Sequence, residues 1–488
     1  MQTNVLNFPD IFDPPNGGTR IAHQSNTAVE TKSVRVGYSL LWPNHQTRVP
    51  VVSELAGFPQ AVVPSLASSR IGHPNRTTHS TETTSISSLA KESQEMLKAT
   101  ADLIMPTTII GSLPRPSWFT ENLGSRTFLR AMMDARYREQ YTDAVAVHLR
   151  DQEVAGLDIC TDGDAHYDEE VGGQSWTSYP LFHMEGFDRD RPSPAIMKTG
   201  GVAFPMGHIL HDYLEARVMP KVIGPIGRGD LQYTAMWKTA QRMTSKPVKF
   251  GTITPELLAA AVNDEYYTDP VERIMALSHA INEELTELAD AGCPVIQLEE
   301  PQVHMIPARG KVFGKLDMGD MVGIFNNTTK GLREKTEVWC HTCWGNPSQQ
   351  RMFKEVQSYE PSLEFLNQVD ADVITFESCS SGMIDIPAIG KAITEKKVAI
   401  GMIDHHSLQV ERPDEIADRI RETLKHIPAE RLILCSDCGM GREGMSRRHA
   451  RYKIAALVQG ANIVKRELGL PEAQCLAADD RYSLVPTE

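Results

Sequence analysis

The sequence predicts an α/β fold of the (β/α)8 TIM-barrel class. Between about Thr107 and Leu470, eight short apolar runs alternate with longer amphipathic segments. Buried strands that alternate with helices form parallel sheets, and eight such strands are enough to close a barrel. A doubly wound open sheet is the competing fold. No GxGxxG motif follows the first run, which disfavours the dinucleotide-binding version of that fold.

The eight runs are predicted to be the barrel strands, because they are short and mostly aliphatic or β-branched. In chain order they are Thr107–Gly111, Leu157–Thr161, Val248–Ile253, Val295–Leu298, Val338–Cys343, Val373–Phe376, Val398–Ile403 and Leu432–Cys435.

Two of the segments between strands carry clear helix stops. Pro270–Ala291 is followed by Gly292, and Pro413–His426 ends near Pro428, and both residue types end helices. Residues 172–245 are rich in aromatic residues, Gly and Pro. They predict an insertion after the second strand.

The domain boundaries follow from composition. Residues 1–100 are predicted to be a low-complexity, disordered extension, since stretches such as Thr77–Ser88 are nearly all small and polar and offer little apolar surface to bury. Residues 101–475 are predicted to form the catalytic barrel, and residues 476–488 a C-terminal tail.

Composition narrows the class of protein. The formal net charge is −14, with no long basic run, which argues against a nucleic-acid binder. The apolar runs are too short to cross a membrane, and the N-terminus lacks a secretory pattern. Eight cysteines in 488 residues indicate reduced thiols in a cytoplasmic protein. The oligomeric state is not predicted.

Polar residues follow nearly every predicted strand, which indicates an enzyme. In a barrel, the side chains at the carboxyl ends of the strands share one rim and form the active site. The polar residues at these ends are Ser112, Asp162, Asp164, Glu299, Glu300, His341, Cys343, Glu377, Ser378, Asp404, His405, His406, Asp437 and Cys438.

Four of these residues predict a zinc site. His341 and Cys343 are two residues apart in a strand, so they point to the same face. Glu377 follows the sixth predicted strand, and Cys438 lies in the turn after the eighth. Together they offer one imidazole, two thiolates and one carboxylate, a set that suits Zn²⁺.

Two alternatives stay open at this point. In the first, the stretch Glu337–Gly345 holds a buried cysteine beside a hydrogen-bonded histidine and binds no metal. The spacings Cys340/Cys343 and Cys435/Cys438 also permit a four-cysteine zinc or a redox motif. Strand alternation disfavours the latter, because it turns Cys340 and Cys435 away from Cys343 and Cys438.

The predicted ligand set suits thiol chemistry. Two thiolates make zinc a poor generator of hydroxide, whereas a zinc-bound substrate thiol is deprotonated at neutral pH and becomes a nucleophile. An acid near the electrophile would protonate the leaving group. His405 or His406 is the candidate for that role.

Six motifs in this order resemble the catalytic barrel of cobalamin-independent methionine synthases, over about Thr107 to Leu470. The motifs are IGSLPRP (Ile110–Pro116), QLEEP (Gln297–Pro301), HTC (His341–Cys343), FES (Phe376–Ser378), DHHS (Asp404–Ser407) and SDCG (Ser436–Gly439). Short single-barrel relatives of this family include archaeal-type methionine synthases and an epoxyalkane:coenzyme M transferase.

The resemblance implies roles for individual residues. The zinc ligands would be His341, Cys343, Glu377 and Cys438, and His406 would be the acid. The substrate-binding residues would be Ile110, Gly111, Ser112, Asp164 and Glu299, the last two holding the amino group of a homocysteine-like thiol.

The chain also departs from the family pattern. Asp164 stands where the family usually has Glu, and Glu299 where it usually has Asp. The family's folate-stacking tryptophan has no counterpart in Thr252–Tyr267, which follows the third strand. The long enzymes of the family carry a second, N-terminal barrel, whereas this sequence predicts only the disordered extension before the catalytic barrel. These departures concern the two substrates and leave the zinc site intact.

The expected function is therefore a zinc-dependent S-methyltransferase that methylates a homocysteine-like thiol from a methyltetrahydrofolate-like donor. The alternative is a zinc-dependent thiol alkyltransferase or C–S lyase of the epoxyalkane:coenzyme M transferase type. The second alternative is a non-enzymatic zinc-binding barrel.

Overall fold

The structure is a computed structural model that describes residues 98–124, 126–167, 175–194, 218–299, 301–345, 353–441 and 445–482. The extension predicted for residues 1–100 lies almost entirely outside these ranges. The strands within them are β1 (Cys160–Thr161), β2 (Glu185–Pro194), β3 (Val218–Gly227), β4 (Val248–Ile253), β5 (Val295–Glu299), β6 (Glu337–Thr342), β7 (Val373–Phe376), β8 (Lys397–Ile403) and β9 (Leu432–Ser436).

Twelve α-helices surround or connect these strands within the described residues. They are α1 (Phe128–Met132), α2 (Ala135–Ala155), α3 (Ser175–His183), α4 (Tyr233–Gln241), α5 (Pro255–Ala261), α6 (Pro270–Asp290), α7 (Ile306–Arg309), α8 (Met318–Thr328), α9 (Leu363–Leu366), α10 (Ile386–Ala392), α11 (Pro413–Leu424) and α12 (Arg447–Glu467).

Seven strands form one parallel sheet in the order β1-β4-β5-β6-β7-β8-β9. The predicted first strand, Thr107–Gly111, fills the eighth place. On one side Thr107 bridges Leu434 in parallel, and the Thr108 N–H donates to the Leu434 carbonyl at 3.0 Å. On the other side the Ile159 N–H donates to the Thr107 carbonyl at 3.2 Å. The sheet is therefore closed, and the predicted (β/α)8 barrel is confirmed.

The first strand forms a single bridge rather than a full ladder, because side chains replace several main-chain partners. The Thr107 N–H donates to Asp158 Oδ2 at 2.8 Å, and the Ile110 N–H donates to Ser436 Oγ at 2.9 Å. The predicted second strand is also short and is reduced to Cys160–Thr161. The other predicted strands are present within about two residues of their expected bounds.

Strand alternation divides the core into two parts. One cluster lines the inside of the barrel and takes apolar residues from several different strands. Its members are Ile110, Ile159, Val295, Trp339, Val373, Ala399, Ile433 and Cys435. A much larger cluster, which includes Cys340, packs the outer faces of the strands against the helices.

The two predicted helices are present. In α6, Asp269 accepts a hydrogen bond from the Val271 N–H and Pro270 is the first residue, so the start of the helix is capped. Helix α11 begins at Pro413 but ends at Leu424, two residues before the predicted His426. The following N–H groups bond to carbonyls three residues back, which tightens the last turn.

The predicted insertion after the second strand contains α3, an antiparallel β2–β3 ribbon and α4 in its described parts. The ribbon is tied to the loop after α5 by two hydrogen bonds. The Val222 N–H donates to the Asn263 carbonyl, and the Glu265 N–H donates to the Val222 carbonyl, both at 2.9 Å. In the described part of the chain, no helix is both long and apolar enough to cross a membrane.

Candidate metal and substrate site

Three of the predicted ligands lie together at the carboxyl ends of β6 and β9. One nitrogen of His341 and the sulfur atoms of Cys343 and Cys438 are all within 4.8 Å of one another. His341 and Cys343 are completely buried, and Cys438 is 4% exposed. An imidazole and two thiols that converge in a buried place form a donor set typical of zinc.

The surroundings of His341 fit a metal ligand. Its Nδ1 lies 2.5 Å from Thr375 Oγ1, and its Nε2 is buried without a hydrogen-bond partner. When Nδ1–H donates to Thr375, Nε2 keeps a lone pair that can bind a cation. Burial, followed by the positive charge of Lys249, holds the pKa of His341 well below its usual range. The imidazole is therefore neutral, as metal binding requires.

The other two cysteines of the CxxC spacings lie outside this cluster. Cys340 packs in the outer core, as strand alternation predicts. Cys435 packs inside the barrel with Trp339, so the prediction that its strand face separates it from the site is wrong. Burial raises the pKa of the Cys435 thiol far above its usual range, which is unfavourable for a thiolate ligand.

Glu377, the fourth predicted ligand, lies in an adjacent cluster with His405 and His406. Its carboxylate accepts hydrogen bonds from the Trp344 N–H at 2.7 Å and from Ser380 Oγ at 2.5 Å. The structure thus brings three of the four predicted ligands into one group and places the fourth beside it.

A buried aspartate shapes the loop that carries Glu377. The Asp437 carboxylate accepts hydrogen bonds from the N–H groups of Ser378, Cys379 and Ser380, at 2.7–2.9 Å. An added Cβ at Gly401 would lie 1.8 Å from Asp437 Oδ1, so this position must be glycine. Burial, followed by the Glu377 charge, raises the pKa of Asp437 to about 7.

The two histidines of the DHHS motif follow β8, with their ring centroids 3.8 Å apart. The His406 N–H donates to Asp404 Oδ1 at 2.7 Å, and His406 Nδ1 lies 3.6 Å from the same oxygen. Both ring nitrogens of His406 are buried without a hydrogen-bond partner. Although burial raises the pKa of Asp404, the contacts with His406 outweigh it and lower that pKa.

A buried ion pair holds this turn in place. Lys453 Nζ, on α12, donates to the Asp404 carbonyl at 3.0 Å and to both carboxylate oxygens of Glu411. Glu411 in turn accepts the Asp404 N–H at 2.8 Å. The main chain of Asp404 is therefore fixed from both sides. The sequence did not single out either residue of the ion pair.

The Ile110–Ser112 segment packs against the loop that carries Cys438. An added Cβ at Gly439 would lie 2.7 Å from the Ser112 N atom. The Ser112 carbonyl accepts hydrogen bonds from the Met440 and Gly441 N–H groups, at 2.7 and 2.9 Å. Ser112 thus lies beside the metal-ligand cluster. The Ile110 side chain, in contrast, is enclosed in the inner core cluster.

The carboxylates of Asp164 and Glu299 both approach Gly251 of β4. An added Cβ at Gly251 would lie 3.2 Å from Glu299 Oε1 and 3.8 Å from Asp164 Oδ1. Asp164 has a φ of 55°, an uncommon value for a residue with a side chain, and such outliers collect at functional sites. Glu299 is next to His341 in the β5–β6 register. The carboxylate pair therefore adjoins the metal-ligand cluster.

A buried lysine lies beneath the carboxylates of Asp164 and Glu299, and sequence reasoning did not identify it. Lys249, on β4, is 2% exposed and lies in register with Val295 of the inner cluster. In the sequence, the only indication of its role is its position as the single charged residue of the run VKFGTI.

Sequence reasoning also did not identify His304. It lies on the loop after β5, and its Nε2 is 2.6 Å from the Cys343 carbonyl.

A pocket opens beside Glu377 and His406. Trp344, Phe353 and Val356 contribute its apolar wall, and Ser380 and Ser381 contribute hydroxyl groups. An aromatic and aliphatic wall next to a few polar groups is typical of a site for a small organic molecule.

Comparison with known proteins identifies relatives of the whole barrel. The methionine synthase of Saccharolobus solfataricus is 27% identical over 371 residues, which cover 75% of this chain and 96% of that protein. The 2-hydroxypropyl-CoM lyase of Xanthobacter autotrophicus is 28% identical over 401 residues, which cover 76% of this chain and 98% of that protein.

Two solved structures have the same fold. The B12-independent methionine synthase from Shewanella sp. W3-18-1, in complex with selenomethionine, is 25% identical with a TM-score of 0.60 and covers 75% of this chain and 99% of its own. A putative vitamin-B12 independent methionine synthase from Listeria monocytogenes is 17% identical with a TM-score of 0.52, covering 74% of this chain and 99% of its own.

The sequence profile of the cobalamin-independent synthase catalytic domain matches residues 194–462. This span is more than half of the chain and contains the metal-ligand cluster, Glu299 and the DHHS turn. The chain therefore belongs to the cobalamin-independent synthase catalytic-domain family and is an enzyme of the methionine synthase type.

Proposed function

We propose that this enzyme is a zinc-dependent thiol methyltransferase that acts on a homocysteine-like amino thiol. One observation supports the proposal above others: the cluster of His341, Cys343 and Cys438 adjoins the carboxylates of Asp164 and Glu299. A thiol-binding metal site beside a site for a cation suits a substrate that carries both a thiol and an ammonium group.

The zinc would be held by His341, Cys343 and Cys438, with Glu377 of the adjacent cluster as the proposed fourth ligand. The unpartnered Nε2 of His341 supports this assignment. Zinc in such a site would lower the pKa of a bound substrate thiol, so that it reacts as a thiolate near neutral pH. Zinc sites are more often built from such N and S donors than from oxygen alone.

The carboxylates of Asp164 and Glu299 would bind the substrate ammonium group. Glu299 is 8% exposed, so its attraction to a cation is weakly screened. The Gly111–Ser112 segment, beside the Cys438 loop, would contact the amino-acid end of the substrate. Ile110 would act only through its main chain, because its side chain belongs to the inner core.

His406 would hold the proton that the leaving group needs. It lines the pocket beside Glu377, and its ring nitrogens have no hydrogen-bond partner, so one of them is available to donate. Asp404 Oδ1, at 3.6 Å from Nδ1, would hold the imidazole ring in position. A proton delivered from His406 to the donor would assist departure of the demethylated product.

A second candidate keeps the same thiol site but changes the electrophile. The 2-hydroxypropyl-CoM lyase is as similar to this chain as the methionine synthases are, at 28% identity. That likeness supports thiol addition to an epoxide, or the reverse C–S cleavage. Against it, the two carboxylates of Asp164 and Glu299 would repel an anionic thiol such as coenzyme M.

The two candidates are separated by turnover. The zinc-loaded enzyme is offered homocysteine with a methyltetrahydrofolate, and separately coenzyme M with an epoxide. We expect methionine from the first pair and no adduct from the second. Product from the second pair alone would refute the methyltransferase proposal.

The proposal also includes a cytoplasmic location, because eight free cysteines need a reducing compartment.

A further inference from the structure

We propose that Lys249 and Gln297 position Glu299 for the substrate ammonium group, and so determine selectivity for amino thiols over thiols that lack the amino group. This inference rests on the proposed amino-thiol substrate and assigns that selectivity to two residues beneath the site.

Three contacts hold the Lys249 ammonium group in one position inside the barrel. Lys249 Nζ donates to the Ile109 carbonyl at 2.9 Å and to Gln297 Oε1 at 2.7 Å. It also lies 4.5 Å from the centroid of the Trp339 ring, a favourable distance for a cation over an aromatic face. Two acceptors and a ring therefore hold the ammonium in one position.

The second step is the orientation of the Gln297 amide. Because Lys249 only donates, the amide oxygen of Gln297 must face it, and the NH₂ group must then point the other way. Gln297 Nε2 donates to Glu299 Oε1 at 2.7 Å. The lysine thus fixes the amide, and the amide holds the carboxylate of Glu299.

The third step is the close approach of this carboxylate and that of Asp164 to Gly251. Gly251 lacks a side chain, and an added Cβ there would lie 3.2 Å from Glu299 Oε1 and 3.8 Å from Asp164 Oδ1. The absence of a side chain at Gly251 therefore lets both carboxylates lie close to the main chain of β4 and to each other. A substrate ammonium group that reaches this pair would be attracted by both carboxylates.

The protonation of Lys249 agrees with this role. Burial lowers its pKa to about 8, while the negative charges of Glu299, Asp164 and Glu337 act in the opposite direction. At neutral pH most of the lysine is therefore charged. A buried ammonium rarely adds stability over an apolar residue of similar size, so a positioning role is a better reason for its presence.

The test compares two thiols that differ only in the amino group. Calorimetry on the zinc-loaded full-length enzyme measures affinity for homocysteine and for 4-mercaptobutanoate. For the wild type we expect homocysteine to bind roughly tenfold or more tightly, as one charged hydrogen bond permits. In Lys249→Met and in Gln297→Leu, we expect this ratio to fall to about threefold or less, with unchanged affinity for 4-mercaptobutanoate.

The matched control is Lys465→Met. Lys465 is also buried, at 5% exposed, but it faces Asp158 at 3.7 Å, which precedes β1 at the opposite end of the barrel. We expect the wild-type ratio in this variant. Because Lys249 and Gln297 act in series, the double variant should lose no more selectivity than either single variant.

The outcomes separate this inference from the proposed substrate. A wild type that does not prefer homocysteine would refute the amino-thiol proposal and the inference with it. A wild type that prefers homocysteine, together with variants that keep the preference or lose affinity equally for both thiols, would refute the inference alone. If Lys249→Met does not fold, Gln297→Leu leaves the lysine in place and gives the same test.

Discussion

Thr375→Val should weaken metal binding without removing a metal ligand. Thr375 is 1% exposed on β7, and its hydroxyl lies 2.5 Å from His341 Nδ1. Valine keeps the shape of threonine and removes the oxygen. With His341 Nε2 bound to a metal, the proton must stay on Nδ1 and would then have no partner. In the metal-free variant the proton can move to Nε2, so the penalty falls on the metal-bound state.

The magnitude follows from the burial of this hydrogen bond. A buried N–H without a partner costs about 1–3 kcal/mol. Loss of a residue that orients a metal-binding histidine typically lowers metal affinity by roughly 10–100-fold, or about 1.4–2.8 kcal/mol. Competition against a chromogenic zinc chelator measures this difference directly.

The control is Thr336→Val, which removes another buried hydroxyl at the opposite end of β6. Thr336 Oγ1 donates to the Cys293 carbonyl at 2.7 Å, far along the strand from His341. We expect a comparable loss of stability and wild-type zinc affinity. Equal zinc affinity in Thr375→Val and the wild type would refute the assignment of His341 Nε2 as a ligand.

Three further variants test other parts of the account. His406→Gln should keep zinc and thiol affinity and lower the steady-state turnover rate by about 10²–10⁴-fold. A wild-type rate in this variant would show that another residue is the acid. The double variant Lys453→Met with Glu411→Leu should keep the melting temperature, since an apolar pair can replace a buried ion pair, but lower the turnover rate; an unchanged rate would show that this pair does not position His406. Burial raises the pKa of Glu256 to about 7, so its folded-state pKa exceeds the unfolded value and stability is lost as pH rises through that range. Glu256→Gln should therefore be more stable than the wild type at pH ~8, by at most about 3 kcal/mol, and lose this advantage near pH ~4.5 in thermal melts; a constant difference across pH would contradict this.

Much of the fold was predictable because a barrel repeats one simple pattern. The apolar runs with polar ends predicted the strands and their order, and the helix stops predicted at Gly292 and near Pro428 were close to the observed helix ends. The short ladder of Thr107–Gly111 was not predictable. It depends on side chains of distant residues, such as Asp158 and Ser436, that replace main-chain partners.

The metal-ligand cluster was partly predictable for the same reason. Residues two apart in a strand point to the same face, which brings His341 and Cys343 together at the end of β6. Cys438 lies shortly after the end of β9, at the same end of the barrel. The position of Glu377 depends on hydrogen bonds with the Trp344 main chain and Ser380. Such loop contacts leave no periodic signal in a sequence.

The charged residues beneath the site were missed because strand prediction weighs apolar residues. Lys249 lies within a strand whose other residues are uncharged. Its hydrogen-bond partners, Ile109 and Gln297, belong to other strands, so the contacts are not visible in the local sequence. Cys435 was misplaced because alternation describes a strand only up to its end. β9 stops at Ser436, and the turn that follows sets the direction of Cys438.

The central claim is that this site binds a metal through two cysteines and presents a substrate thiol to an electrophile. X-ray absorption at the zinc edge, recorded before and after addition of homocysteine, tests it most directly. We expect two sulfur ligands in the free enzyme, from Cys343 and Cys438, and a third sulfur when homocysteine is added. A zinc shell without sulfur, or one that does not change with the thiol, would contradict it.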